Sequence, residues 1–215
     1  MKILFFEGLD NLGKSTLAKK FVDKYSQKYN ILFMHSRYPD TDEDPLNYQY
    51  QEFVEKVMMI KSCYEQESRT DHPLEETLVI MDRSWIDEYV YGQIYRNETP
   101  DDIKQLIDTC FLLLWEKNMQ KCIVHLISSV DLSICNDDSK SFTSNLQYND
   151  KKVKVELEHN LFTEISKYCE ERNYCSYIEV NVESVFTKNG KPTFKNISDI
   201  FNNTIKLLGD KNIIL

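Results

Sequence analysis

Gly8-Leu9-Asp10-Asn11-Leu12-Gly13-Lys14-Ser15, with Thr16 behind it, matches the spacing G-x-x-x-x-G-K-[ST]. The spacing suits chemistry on phosphate. Two glycines let the backbone curl until several N–H groups point at one phosphate of ATP or GTP. A helix opening where the loop ends adds the positive end of its dipole. Lys14 is spaced to reach the terminal phosphates, and Ser15 to offer its hydroxyl to Mg²⁺. The chain has only 5 glycines, and two stand where this loop needs them. Leu9, Asp10, Asn11, Leu12, Gly13, Lys14, Ser15 and Thr16 are the candidate ATP-binding residues.

Two further charged groups follow short apolar runs. Asp82-Arg83 comes directly after Leu78-Val79-Ile80-Met81. A carboxylate at such a strand end suits Mg²⁺ and its water shell, and the arginine beside it suits a two-pronged grip on a phosphoryl group. Arg37 leaves a second run, Asn30-Ile31-Leu32-Phe33-Met34-His35. It is equally suited to a phosphate or to the acidic stretch Asp40 to Asp44 that follows.

The elements that must position these groups alternate. Strands are expected at residues 2–6, 30–35, 78–81, 122–127 and 175–182. Helices are expected at 14–29, 47–68, 84–96, 101–119, 150–172 and 197–208, the last closed by Gly209. Asp101 or Asp102 is expected near the N-cap of the fourth helix. Residues 131–149, rich in Ser, Asp and Asn, read as an exposed mobile segment. Asn189-Gly190 signals a hairpin over 184–195. Alternating strands and helices imply an α/β fold, a five-stranded parallel sheet with helices on both faces in three layers, whose ligands bind beyond the carboxyl ends of the strands. The 215 residues suggest a single domain, 1–215.

Bulk composition removes several alternatives. A net charge of −9 argues against broad binding to a nucleic acid backbone, though a few cations in one cleft still suffice for a nucleotide. Six cysteines without C-x-x-C spacing give no zinc pattern. The expected setting is cytoplasmic with reduced thiols, since the N-terminus enters directly into a strand and no run is long enough to span a membrane. Glu156-x-x-His159 occurs once and lacks partners for a metal pair, and His35, His72 and His125 show no ligand spacing.

With these residues in order, the chain resembles the thymidylate kinase and deoxynucleoside kinase superfamily. The likeness rests on Phe6-Glu7-Gly8-Leu9-Asp10 with Gly13-Lys14-Ser15-Thr16, then Arg37-Tyr38-Pro39, then Asp82-Arg83-Ser84. Residues 82–96 and 136–143 are similar to segments of thymidylate kinase-like proteins encoded by bacteriophages, the second falling where those carry a flexible lid. The likeness covers about residues 1–170.

The resemblance implies a P-loop kinase sandwich with a lid at about 131–149, using ATP and Mg²⁺ and forming a homodimer. It implies that Asp10 contacts the acceptor's 3′-hydroxyl, that Arg37 and Arg83 grip its 5′-phosphate, and that Asp82 holds the Mg²⁺ water shell. Tyr38, Phe53, Trp85 and Tyr91 become candidates to sandwich the base, against plain core packing. One departure stands out. Such kinases place a catalytic arginine in the loop or the lid, worth about 10³–10⁵ in rate. Here the loop has Asn11, and residues 131–149 hold no arginine. Lys140 or Arg96 would have to substitute, Lys140 being the better placed.

The leading reading is ATP-dependent phosphoryl transfer to a deoxynucleoside monophosphate, dTMP first, through Lys14, Asp82, Arg83 and Lys140. Its rivals are a nucleoside kinase with Glu7 or Asp82 as base, a kinase for modified bases or DNA ends, and a non-catalytic nucleotide binder with a decayed site.

Overall fold

A computed structural model describes residues 1–36, 45–69, 76–135, 147–184 and 192–215. Within these residues five strands run parallel: β1 (Lys2–Gly8), β2 (Asn30–His35), β3 (Thr77–Asp82), β4 (Gln120–Ile127) and β5 (Ser176–Asn181). Their order across the sheet is β2-β3-β1-β4-β5. β1 and β3 are buried along their whole length, whereas β2 lies at an edge and is largely open. Their unbroken apolar runs are what a parallel sheet covered on both faces demands.

The pleat sends alternate side chains of β1 to opposite cores. Leu4 and Phe6 face α1 (Lys14–Tyr25) and α7 (Ile197–Asp210), meeting Phe21 and Phe201. Ile3 and Phe5 face the other way, toward Phe53 and Val57 of α2 (Pro45–Ser68), Trp85 and Tyr89 of α3 (Trp85–Arg96), and Phe111 of α4 (Pro100–Leu113). α5 (Val130–Cys135) and α6 (Tyr148–Glu171) complete the helices. The expected three-layer α/β arrangement is what is found.

Several boundaries differ from expectation. α4 stops at Leu113 rather than 119, because buried Leu114 and Met119 continue the apolar pattern after the backbone has left the helix. Lys121 Nζ caps it by donating to Leu114 O at 2.9 Å. Thr99 is its N-cap, accepting from Asp102 N–H, and Asp101 and Asp102 lie in the first turn, near the cap as expected. α1 ends four residues early, at Tyr25. α7 runs through Gly209, and the left-handed turn that closes it falls on Asn212 instead (φ 60°).

Residues 131–135, read as part of an exposed mobile segment, belong to α5, with Leu132 buried. Residues 147–149 of that segment open α6, which starts at Tyr148 rather than 150, and 136–146 lie outside the described residues. So do Asn189 and Gly190, but Glu183 and Phe194 pair antiparallel, as an excursion that returns on itself requires. Among the described residues no helix is long and apolar enough to cross a membrane.

Candidate functional site

β1 ends in Gly8, whose backbone lies against β4. A Cβ built there would stand 2.5 Å from Leu126 O, and φ is +125°. Asn11 (φ 64°) and Gly13 (φ 84°) complete the curl that delivers the chain to α1. Lys14 opens that helix with 5% of its surface exposed. Its Nζ folds back onto the loop and donates to Gly8 O and Leu9 O, both at 2.6 Å. Burial lowers its pKa first, and the nearby Arg83 guanidinium lowers it further.

Arg83 sits beyond β3 with φ 70°, a costly conformation for an arginine. It is held from two sides. Its N–H donates to Phe6 O at 3.2 Å, and Ser36 Oγ donates to its carbonyl at 3.1 Å. The guanidinium is thereby turned toward the loop, where Nη2 contacts Asp10 Oδ1. Nη1 donates to Asp87 Oδ2 at 2.7 Å, and the group lies 5.4 Å from the Tyr91 ring centre.

Acidic groups surround this arginine. Asp82 is buried, with Oδ2 on His35 Nδ1 at 3.1 Å, while Oδ1 has no partner among the described residues. Glu7, fully buried one residue before Gly8, accepts from Ser84 Oγ at 2.5 Å. Burial, and then the Asp87 carboxylate, push its pKa well above the usual carboxylate range.

Glu158 on α6 accepts from Tyr95 OH, and burial raises its pKa to about 7, with Asp10 adding to the rise. A folded pKa above that of a free glutamate adds stability that is complete below about pH 4.3 and is lost as pH rises through about 7. Replacing it by glutamine should flatten this decline, on the order of 2 kcal/mol across the interval, read from urea midpoints at stepped pH.

A groove of about 430 Å³ continues from the loop between Ser15, Thr16, Lys19 and Lys20 on one wall and Ile197 on the other. A larger cavity of about 840 Å³ lies at the opposite, amino end of the strands, among Trp115, Lys121 and Lys211. It touches none of the loop residues, so the loop and its groove mark the site.

No protein-family model matches the chain, and no curated protein matches it in sequence. In structure it is similar to a thymidylate kinase from Ehrlichia chaffeensis, at 15% identity over 97% of this chain and 98% of that one, with a TM-score of 0.50. It is also similar to the YorR protein from Bacillus subtilis, solved in complex with phosphorylated GDP (14% identity, 99% and 98% covered, TM-score 0.51). The chain has the thymidylate kinase fold.

On this kinase fold the expected residues fare differently. Lys14, Asp10 and Arg83 converge, and Asp82 ends the strand beside them. Arg37, Tyr38, Lys140 and His72 lie outside the described residues. Arg96, the last residue of α3, is engaged by Glu88 and by Glu98 Oε1 at 2.9 Å. Phe53 and Trp85 are packed in the core with Phe5 and Phe111, ring edge against ring face. Tyr91 is also buried, stacked on Tyr95 under Arg83.

Sequence reading missed His35 as the partner of Asp82, Asp87 as the second anchor of Arg83, and the Tyr95–Glu158 pair. The only available signal was the placement of Asp87 and Glu88 one turn after the Arg83 strand end.

Proposed function

We propose that the chain transfers the γ-phosphoryl group of ATP to a deoxynucleoside monophosphate, with dTMP the first acceptor to try. The observation that carries this is the Arg83 guanidinium lying over the loop that bears Lys14, within reach of Asp10. Two phosphate chains repel one another, and a cation on each side of the gap offsets the repulsion and aligns donor with acceptor. In this reading Lys14 takes the donor's terminal phosphates, Arg83 and Arg37 take the acceptor phosphate, and Asp10 takes the sugar 3′-hydroxyl. The groove beside Ser15 and Thr16 receives the adenosine end.

The residues present fit Mg²⁺: Asp82 Oδ1 is a buried carboxylate oxygen with no partner among the described residues, and the exposed Ser15 hydroxyl directly follows Lys14 in the loop. Asp82 and Ser15 would hold the ion, which supplies further positive charge between the phosphates. Lys140 stands in for the absent lid arginine.

A second reading is favoured by one specific feature. Arg83 is already engaged by two carboxylates, Asp10 and Asp87, which leaves less positive charge for an acceptor phosphate. A deoxynucleoside would place its 5′-hydroxyl there instead, with Asp82 as base. The test is γ-labelled ATP with Mg²⁺ and a panel of the four deoxynucleoside monophosphates and four deoxynucleosides. Label should appear in at least one monophosphate-derived product, and Arg37→Ala should remove it. Label only in nucleoside products, untouched by that substitution, selects the second reading. Label in neither class leaves a nucleotide binder without transfer.

A further inference from the structure

Glu7 and Asp87 face each other across the base of the site, the first on the central strand β1 and the second in the opening turn of α3. Between them they carry four acceptor oxygens. Ser84 Oγ donates to Glu7 Oε1 at 2.5 Å, and Arg83 Nη1 donates to Asp87 Oδ2 at 2.7 Å. The remaining two, Glu7 Oε2 and Asp87 Oδ1, are buried and have no donor among the described residues. The two carboxyl groups are tied to neighbouring residues, Glu7 to Ser84 and Asp87 to Arg83, and the charge of Asp87 adds to burial in raising the Glu7 pKa.

Two ionised carboxylates cannot sit this way without cost. Each orphaned oxygen forfeits the hydrogen bond it would have in water, and the like charges repel through an interior that screens them poorly. A single proton resolves both faults, since the protonated oxygen donates to its neighbour. The partners decide which acid keeps it. Asp87 is bonded to the Arg83 cation, which favours its charged form. Among the described residues Glu7 has no cation bonded to it, and Lys14 directs its hydrogen bonds to Gly8 O and Leu9 O.

We propose that Glu7 is held as a neutral carboxylic acid that donates its proton to Asp87, making Glu7 a positioning residue for Arg83. The chain of contacts is continuous. Ser84 fixes one oxygen of Glu7, the other fixes Asp87, and Asp87 holds Nη1 so that Nη2 reaches Asp10 on the phosphate loop. β1 is the central strand of the sheet and buried along its whole length, so the arginine is referred to a rigid element rather than to its own strained backbone.

The effect on turnover rests on the kinase reading above; the proton itself does not. Infrared difference spectra between wild type and Glu7→Gln at neutral pH should show the carbonyl stretch of an un-ionised acid, shifted in D₂O and absent from the variant. Only carboxylate bands would overturn the proposal. Glutamine keeps a donor toward Asp87 and an acceptor toward Ser84, whereas leucine keeps neither. Glu7→Gln should therefore retain about ten times the kcat/KM for acceptor found for Glu7→Leu, with kcat/KM for ATP changing less. If glutamine is no better than leucine in a folded protein, the positioning role fails. If wild type transfers phosphate to nothing, the kinase reading falls while the spectrum still decides the proton.

Discussion

Lys14→Met is expected to lower the turnover of phosphoryl transfer by about 10³, with the fold intact. The magnitude follows from where the ammonium stands. It is almost fully buried, it lies against the loop proposed to hold the phosphates, and burial and Arg83 together make it costly to keep charged there without an anion. A bound triphosphate supplies that anion, and the charge that develops on the transferred group is met in a place already closed to water. Methionine keeps the side chain's length and volume. What it removes is the pair of bonds to Gly8 O and Leu9 O, a loss of about 1–2 kcal/mol in stability. Steady-state kcat against the urea midpoint separates the two effects. A drop in kcat of under about tenfold would remove Lys14 from the transfer step.

The second large effect is structural and falls on Gly8, where β1 ends and the loop begins. Gly8→Ala should cost about 3 kcal/mol or prevent folding. Glycine is required twice over. A φ of +125° is open to almost no other residue, and the new Cβ would meet the Leu126 carbonyl at 2.5 Å. That carbonyl is backbone of the adjoining strand, so relief means parting β1 from β4. Gly13→Ala shares the positive φ (84°) but has open space around the new methyl. Its cost should be about 1–2 kcal/mol, which makes it the control for the close approach. Equal melting temperatures for the two variants would refute the packing argument.

What was legible beforehand has a physical pattern. The loop, β1 and α1 could be read because their requirements are local: two glycines, a lysine and a helix start within nine residues. Arg83 could be placed at a strand end for the same reason, since Leu78 to Met81 is unbroken and apolar. The partners of these groups could not be read. Glu7 and Asp87 are 80 positions apart, and Tyr95 and Glu158 are 63 apart, so only the crossing of α3 with β1 and α6 brings them together. Aromatic identity was ambiguous as well. Phe53 and Trp85 are as suitable for a base as for a core, and the structure packs Trp85 against both Phe5 and Phe53, which sequence periodicity alone does not specify. Helix ends failed where a buried residue outlasted the helix, as at Leu114, or where an asparagine took the turn expected of Gly209.

The central claim is that the loop bearing Lys14 and the guanidinium of Arg83 hold two phosphate chains face to face. Dinucleoside pentaphosphates, adenosine at one end and each of the four deoxynucleosides in turn at the other, measure this directly by titration calorimetry. At least one should bind about a hundredfold or more tighter than ATP alone, an advantage that both Lys14→Met and Arg83→Ala erase. If none of the four binds tighter than ATP, or if Arg83→Ala leaves the advantage in place, the two cations do not share one substrate pair and the account is wrong.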